Sequence, residues 1–218
     1  MRCCLPRQTR AIRRTFCASP PRPPLPTLLL RSGACERHQP PPLDSHPESA
    51  ARTAAAVEAL RVATAGNQAV QWEETLRTAN PHDLRRVHTN EHVACLEAAF
   101  AALRRFEGLP PPSASAPTFG TGSQETTEVT WDNTATADRR PFFYFDTDTP
   151  ASVGTEDAVL AAAGAALDAV DAIMGGQAAN AFCITRPPGH HAEADRAMGF
   201  CFVNNAALAA AHALETCA

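Results

Sequence analysis

The 218-residue chain contains no lysine, only one tyrosine (Tyr144), and no long hydrophobic run. All nineteen of its basic residues are arginine. The run of leucines at positions 28–30 is far shorter than the ~20 apolar residues that a helix needs to cross a bilayer. We therefore expect no membrane-spanning helix and no membrane partner. The length is sufficient for one domain of ordinary size with its own hydrophobic core.

The eight cysteines include no Cys-x-x-Cys pair. Zinc ribbons and disulfide scaffolds need cysteines at paired, regular spacings, so this pattern excludes both kinds of framework. Four of the cysteines lie in or next to the N-terminal segment, and the complete set stands at positions 3, 4, 17, 35, 95, 183, 201 and 217. We expect reduced thiols in an intracellular compartment.

Acidic residues are absent from residues 1–35, which contain seven arginines and so carry a net charge of +7. The remaining chain has twelve arginines against all twenty-three acids, a net charge of −11. An arginine-rich, acid-free N-terminus with hydroxyl residues is typical of an organelle transit peptide. We therefore predict that residues 1–26 are a disordered transit peptide for a plastid or mitochondrion; without such targeting the protein is expected in the cytoplasm.

A basic arm that contacts nucleic acid is the alternative interpretation of the same segment. The proline-rich stretch at residues 20–24 blocks a helix, and the segment lacks interleaved aromatic residues. Direct nucleic-acid binding is therefore not expected.

Periodicity and cap residues after this segment predict alternating strands and helices. Strands are expected at residues 27–31, 142–145 and 181–185, and helices at 48–65, from Thr89 to about 108, from Thr155 to about 175, and from about 204 onward. The helix that starts at Thr155 is expected to bury a stripe formed by Leu160, Leu167, Val170 and Met174. Residues 109–140, rich in Pro, Ser, Thr and Gly, are predicted to be a disordered insertion. The alternation indicates an α/β fold.

The most informative segment follows the last predicted strand. Residues 186–195 have the sequence Arg-Pro-Pro-Gly-His-His-Ala-Glu-Ala-Asp, and residues 198–205 the sequence Met-Gly-Phe-Cys-Phe-Val-Asn-Asn. The carboxyl ends of strands are where open α/β sheets bind ligands. Imidazole is the natural base for activating a water molecule near neutral pH. An isolated His-His pair is more often a solvated loop, but the surrounding prolines and glycines favour a site.

These two segments closely resemble the active-site loops of the zinc-dependent histone deacetylase family, in the form found in class II and acetylpolyamine amidohydrolase-like members. Three more segments resemble the same family in chain order: residues 46–48 (His-Pro-Glu), 86–93 (Arg-Val-His-Thr-Asn-Glu-His-Val) and 146–150 (Asp-Thr-Asp-Thr-Pro). The resemblance covers about residues 27–108 and 141–218. It implies the N-terminal portion of an arginase/deacetylase-type fold, with a central parallel sheet flanked by helices and the C-terminal half missing.

The resemblance also implies roles for five residues. His191 is the general acid/base, and His190 stabilises charge beside it, tuned by a carboxylate partner. Gly199 lines the acyl channel, Phe200 forms one of its aromatic walls, and Asp148 accepts hydrogen bonds from the substrate at the rim. The structural alternatives are a core position for Phe200 and a turn position for Asp148.

The other histidines and Cys201 are not assigned to the site. His88 and His92 are four residues apart, but His88 precedes the helix cap, so we expect their side chains on different faces and no metal role. His82 and His212 are expected to be incidental. Cys201 is expected to be a small buried hydrophobic residue.

The family's zinc ligands are an Asp-x-His pair and a later Asp, followed by a Tyr that polarises the acetyl carbonyl. All of them come after the Gly-Phe-Cys segment, whereas only thirteen residues follow Asn205 here, and residues 199–218 contain no Asp-x-His. We therefore assign no metal ligand in this chain, although the complete enzyme is expected to use zinc.

The implied function is hydrolysis of N-acetyl-lysine in a protein or of a related acetylated small amine. The chain alone is expected to be truncated before the zinc ligands, inactive, and at best marginally folded. The alternative is a non-catalytic short form that binds acyl-lysine or a full-length family partner. The related ureohydrolases are disfavoured, because their Asp-x-His-x-Asp pattern is absent.

Overall fold

A computed structural model describes residues 24–41, 47–107, 129–131 and 140–216. The predictions for the N-terminal transit peptide and for most of the 109–140 insertion lie outside these residues. The strands are β1 Thr27–Arg31, β2 Val70–Glu74, β3 Thr130–Trp131, β4 Pro141–Tyr144, β5 Pro150–Ala151 and β6 Asn180–Ile184. The helices are α1 Ala50–Ala63, α2 Pro81–Leu84, α3 Asn90–Arg104, α4 Thr155–Met174 and α5 Asn205–Thr216, with a 3₁₀ helix at Gly33–Arg37.

The larger sheet is parallel, with strand order β2-β1-β6. β1 pairs in register with β2 from Thr27 opposite Val70, and with β6 from Thr27 opposite Asn180. Leu28 and Leu30 project from β1 into a small core with Ala172 and Ala178 at the end of α4. Parallel strands need crossover connections, which the helices supply here. The expected α/β class with a parallel sheet flanked by helices is confirmed.

The main core lies between α3, α4, α5 and the loops that follow β4 and β6. Its largest fully buried side chains include Phe202, Leu96, Leu103, Leu167 and Leu208. The second sheet, with antiparallel order β3-β4-β5, packs against α3 and carries the loop at residues 145–149. The core therefore holds two loops, the one after β4 and the one after β6, against the same group of helices.

The predicted stripe on α4 is wrong in part. Leu167 is fully buried, but Met174 is 48% exposed, and Leu160 and Val170 are only half-buried. The helix is instead covered on most sides because its alanines let neighbours approach closely. At Gly164 a β-carbon would collide with the carbonyl of Arg77. Large apolar residues alone therefore could not locate the buried face of so alanine-rich a helix.

The structure tests the N-caps predicted for two helices, at Thr89 and Thr155. The cap at Thr89 is confirmed, because its hydroxyl accepts the backbone N–H of His92 at 3.2 Å. The cap at Thr155 is wrong: Gly154 is the N-cap, and the buried Thr155 hydroxyl contacts His38 Nδ1 at 2.8 Å and accepts the Ser152 N–H at 2.7 Å. The hydroxyl thus serves tertiary contacts, which the sequence signal could not distinguish from a cap.

Five elements were not predicted: β2, β3, β5, α2 and the 3₁₀ helix. β3 lies within the predicted disordered insertion, which is therefore wrong at Thr130–Trp131. β2 has the sequence Val-Gln-Trp-Glu-Glu, whose charges hide the strand pattern. α2 is a single turn closed by a capping box between Asn80 and Asp83. None of the helices in the described part of the chain is long and apolar enough to cross a membrane.

Candidate active site

The His-His loop is anchored where it leaves β6. The chain passes Ile184 and Thr185 and reaches Arg186, whose side chain is only 3% exposed. The guanidinium donates to the carbonyls of Cys35 at 3.0 Å, His38 at 2.6 Å and Glu48 at 2.8 Å. Its Nε also donates to the Glu48 carboxylate at 3.2 Å. Arg186 therefore ties the start of the loop to the segments before α1.

This ion pair is buried on both sides, since Glu48 is only 5% exposed. Burial lowers the pKa of the Arg186 guanidinium, while the Glu48 carboxylate acts in the opposite direction. A buried charge is tolerated when a partner and enough hydrogen bonds compensate for lost hydration. The Glu48 carboxylate and three carbonyls supply that compensation for Arg186.

Gly189 allows the loop to pass close to its own return segment. A β-carbon at this position would lie 2.5 Å from the Val203 carbonyl oxygen and 2.7 Å from the Asn205 nitrogen. Real β-carbons do not come that close to backbone atoms, so only glycine fits. The close approach brings the His-His pair next to the Gly-Phe-Cys segment.

Residues 198–201 form a two-residue β-hairpin turn. Met198 and Cys201 exchange both backbone hydrogen bonds at 3.0 Å, and the two central residues, Gly199 and Phe200, have φ values of 57° and 67°. Two positive φ values at the centre define a type I′ turn. A positive φ is unfavourable for a phenylalanine, and residues held in this way cluster at functional sites.

His191 lies directly against this turn. A β-carbon on Gly199 would stand 2.9 Å from His191 Cδ2, so glycine is the residue that leaves room for the ring. The backbone N–H of His191 donates to the Cys201 sulfur at 3.4 Å. The two imidazoles are adjacent, with centroids 4.2 Å apart and ring planes inclined by 47°, and both side chains are exposed. The loop therefore offers two neighbouring imidazoles on a rigid support.

The loop after β4 holds the other side of the turn. The Asp146 carboxylate accepts the N–H of Gly199 at 3.3 Å, and the Thr149 hydroxyl accepts the N–H of Phe200 at 3.0 Å. The same carboxylate accepts the N–H of Asp148 at 3.1 Å, which makes an Asx turn. Asp148 is left exposed at the surface beside the hairpin turn.

The two carboxylates of this loop have opposite pKa shifts. Burial alone raises the pKa of Asp146, but hydrogen bonds from Thr149, Asp148 and Gly199 outweigh it, so the net pKa is lowered. The pKa of Asp148 is raised by burial and by the neighbouring Asp146 carboxylate. Asp146 is thus the structural anion of the pair, and Asp148 is the one that faces outward.

The structure brings the predicted site residues into two adjoining loops. Gly189, His190, His191, Gly199 and Phe200 share the loop after β6, and Asp148 lies in the loop that is hydrogen-bonded to it. In the described part of the chain, no carboxylate hydrogen-bonds the His190 ring, so its expected carboxylate partner stays a prediction.

Sequence reasoning missed three supporting residues. Arg186, Asp146 and Thr149 position the loops, although only their neighbours were assigned. The Asp-x-Asp spacing at residues 146–148 is an Asx-turn signal that could have identified Asp146. Arg186 gave no local signal, because its partners are more than 130 residues away in sequence.

Two expectations about other histidines were wrong. The His88 and His92 rings do share a side, with centroids 4.8 Å apart, because the bend at Thr89 turns His88 back toward α3. His212 is not incidental: it is 8% exposed, and its two ring nitrogens contact Asp171 at 2.7 Å and Arg86 at 2.9 Å. These contacts join α5 to α4 and to the turn that follows α2.

The residues that the structure describes include no group of three or more His, Cys, Asp or Glu side chains that could hold a metal ion. A catalytic zinc site needs about three protein ligands. The described residues therefore do not by themselves fit the metal that the sequence resemblance implies.

The loops, their supports and the parallel sheet together form an α/β domain with two adjacent imidazoles in the loop after β6. The sequence profile of the histone deacetylase domain matches residues 46–218. The chain belongs to the histone deacetylase family.

Several relatives are similar to shorter stretches. The histone deacetylase-like amidohydrolase of Pseudomonas aeruginosa is 47% identical over 62 residues, which cover 28% of this chain and 16% of that protein. The polyamine deacetylase HDAC10 of Mus musculus is 54% identical over 54 residues, or 25% of this chain and 8% of that protein. The acetylpolyamine amidohydrolase of Mycoplana ramosa is 47% identical over 68 residues, or 31% of this chain and 20% of that protein.

The fold is also similar to a solved structure, the crystal structure of the HDA15 HD domain. The TM-score is 0.64 with 26% sequence identity, and the match covers 88% of this chain and 44% of that chain. The chain thus spans less than half the length of this solved relative.

Proposed function

We propose that this chain contributes the acid/base and substrate-facing part of a zinc-dependent amide hydrolase that acts on N-acetyl-lysine or a related acetylated amine. The observation that carries the proposal is the exposed His190–His191 pair seated on the Gly199 turn, with centroids 4.2 Å apart. Family membership supports the deacetylase chemistry.

The proposed reaction assigns proton transfer to His191. An imidazole nitrogen takes a proton from water as the water oxygen bonds to the acetyl carbonyl carbon. The same nitrogen then gives that proton to the leaving nitrogen as the amide bond breaks. The products are acetic acid and the amine, which exchange a proton to give acetate and a protonated amine. His190, beside it, stabilises the charge that develops on the reacting atoms.

The remaining predicted residues hold the substrate in this proposal. The half-buried Phe200 ring packs along the aliphatic stem of the acetylated amine, and Gly199 leaves space for that stem. Asp148 accepts a hydrogen bond from the substrate at the rim. This assignment is supported by the hydrogen bonds that link the Asp148 loop to the backbone of Gly199 and Phe200.

A chimera tests the reaction. Residues 27–216 replace the corresponding part of the P. aeruginosa amidohydrolase, and turnover of an acetyl-lysine peptide and of an acetylated diamine is measured. We expect turnover of at least one of the two, and a loss of about 10²–10⁴-fold on His191→Ala. A folded chimera whose turnover is unchanged by His191→Ala contradicts the proposal.

We further propose that the 218 residues alone do not hydrolyse acetyl amides. The described residues supply no set of ligands for the family's metal. The purified chain is assayed with and without added zinc on both substrates. Zinc-stimulated turnover that disappears on His191→Ala overturns this part of the proposal.

A second candidate function is binding to a full-length family partner, and the strand edges favour it. β2 forms one edge of the parallel sheet and carries Glu73 and Glu74. Charged side chains on an edge strand disfavour pairing with a strand of another chain. β6 forms the other edge, has the uncharged sequence Asn-Ala-Phe-Cys-Ile, and leaves Phe182 57% exposed. An uncharged edge with an exposed aromatic residue suits pairing with another strand.

The partner hypothesis is tested by sedimentation of the chain mixed with the full-length P. aeruginosa amidohydrolase. A complex that Phe182→Glu abolishes supports it. Leu76→Glu is the matched control, because Leu76 is 91% exposed and lies outside the strands. Failure to form a complex, or equal loss with both substitutions, contradicts it.

Organelle targeting by residues 1–26 is also a proposal. It rests on the arginine-rich, acid-free composition of that segment. Fusion of these residues to a fluorescent protein is expected to direct it to plastids or mitochondria; a diffuse cytoplasmic or nuclear signal contradicts the prediction.

A further inference from the structure

The segment around the N-terminus of α3 supports the His-His loop from the interior. The Thr89 N–H donates to the Ala194 carbonyl at 2.8 Å. His88 Nε2 lies 3.0 Å from the Asn204 nitrogen, and His92 Nε2 lies 2.9 Å from the Phe202 carbonyl oxygen. His88 is 5% exposed and His92 is 4% exposed. One helix start therefore holds the middle of the loop that carries the predicted site, at Ala194, and its C-terminal end, at Phe202 and Asn204.

The partners of the two rings decide their tautomers. A backbone N–H can only donate, so His88 Nε2 must accept from Asn204 and the ring proton must be on Nδ1. A backbone carbonyl can only accept, so His92 Nε2 must carry a proton and donate it to Phe202. Nε2 thus accepts a hydrogen bond in His88 and donates one in His92.

The surroundings favour a neutral His88. Burial lowers the pKa of both imidazoles, and the nearby His92 lowers that of His88 further. The groups that raise the pKa are the carbonyls of Ala194 and Glu193 for His88, and the Phe202 carbonyl and the Asp195 carboxylate for His92. A protonated His88 would present an N–H to the N–H of Asn204 and break that contact.

The same geometry argues against a metal role for the pair. The Nε2 lone pair of His88 is committed to the Asn204 N–H, and Nε2 of His92 is committed to the Phe202 carbonyl. Binding a cation through these atoms would release the C-terminal end of the loop.

We propose that His88 and His92 are positioning residues, which fix the loop bearing His190, His191, Gly199 and Phe200 through one accepting and one donating imidazole. The catalytic role of this loop rests on the proposed function. The positioning of the loop by His88 and His92 does not depend on acetyl hydrolysis.

Glutamine and asparagine variants separate hydrogen bonding from packing. A glutamine amide reaches the place of imidazole Nε2 and can accept or donate there, whereas the shorter asparagine amide reaches only the place of Nδ1. Amide hydrogen exchange at Asn204 is measured in the 218-residue chain. We expect His88→Gln to change the rate less than about threefold and His88→Asn to accelerate it about tenfold or more.

The result that overturns the proposal is equal behaviour of the two variants. If both accelerate exchange alike, or both unfold the chain, the ring acts by its volume alone; if neither has an effect, the contact does not hold the loop. The corresponding pair at position 92, His92→Gln and His92→Asn, is read at amides 200–204 with the same criteria.

A spectroscopic readout tests the tautomers directly. Two-bond ¹H–¹⁵N spectra at pH 7 are expected to show His88 protonated on Nδ1 and His92 on Nε2. The same tautomer on both rings, or two cationic rings, overturns the proposal. Because neither measurement uses substrate or metal, the positioning claim can stand or fall separately from the activity of the chimera.

Discussion

At the scale of single residues, the site depends on backbone conformations that few side chains tolerate. Gly199 combines a positive φ with close contact to the His191 ring, whereas Gly66 has a positive φ of 74° and open space around its missing β-carbon. Both glycines therefore need a positive φ, but only Gly199 also lies against the His191 ring.

Alanine substitution of these two glycines measures how much the close contact with His191 adds to the loss in the free energy of unfolding. We expect Gly66→Ala to lower the free energy of unfolding by about 1 kcal/mol, the usual cost of a non-glycine residue at positive φ. Gly199→Ala should cost about 1–2 kcal/mol more, because the His191 ring must move as well. Urea unfolding of both variants checks the difference, and equal losses contradict the proposed seat for His191.

The Asp146 and Asp148 carboxylates should respond oppositely to pH. The folded pKa of Asp146 is lowered, so its contribution is present above its unfolded pKa and is lost as the pH falls through the folded pKa. The folded pKa of Asp148 is raised, so its ionised form opposes folding near neutral pH.

Two substitutions test this pair. Asp146→Ala should lower the urea midpoint at pH 7, and its effect should shrink as the pH falls through the lowered folded pKa of this carboxylate. Asp148→Asn should leave the pH 7 midpoint unchanged or raise it slightly. A larger loss from Asp148→Asn than from Asp146→Ala contradicts the assignment of Asp146 as the structural anion.

At the scale of secondary-structure elements, the site is fixed by contacts between segments far apart in sequence. Arg186 at the end of β6 meets Glu48 just before α1, and both are buried. Removing one partner of such a pair leaves an uncompensated charge, which costs about 3–5 kcal/mol.

We therefore expect Arg186→Met to lower the free energy of unfolding by about that amount. Glu48→Gln should cost less, because the three carbonyl contacts of the guanidinium remain. The double variant Arg186→Met, Glu48→Gln should recover part of the loss of Arg186→Met, since no carboxylate is then left buried. Strict additivity of the two losses in urea unfolding contradicts a direct pair.

The sequence predicted these elements well where residues close together in the chain determine them. The Thr89 cap, the β1 bounds and the start of α5 near residue 204 each follow from neighbouring residues. The buried face of α4 did not, because alanines have no strong preference and Gly164 is selected by the Arg77 carbonyl of a distant loop. The shared side of His88 and His92 depends on a bend that spacing alone does not encode.

At the scale of the whole molecule, the described residues bring two loops together beside a three-stranded parallel sheet. The motif at residues 186–205 identified the family, and the geometry brings its glycines and histidines together as the motif suggests. The tie between this loop and the loop at residues 145–149 could not be derived from sequence, because Asp146 and Thr149 act through backbone groups about fifty residues away.

The central claim is that His191 transfers the proton in an amide hydrolase. The most direct measurement is kcat for acetyl-amide hydrolysis by the chimera that contains residues 27–216, with and without His191→Ala. We expect measurable turnover that falls by about 10²–10⁴-fold in the variant while hydrogen exchange at residues 198–204 is unchanged. Turnover that persists in His191→Ala, with the loop equally protected from exchange, would contradict the role of His191 in proton transfer.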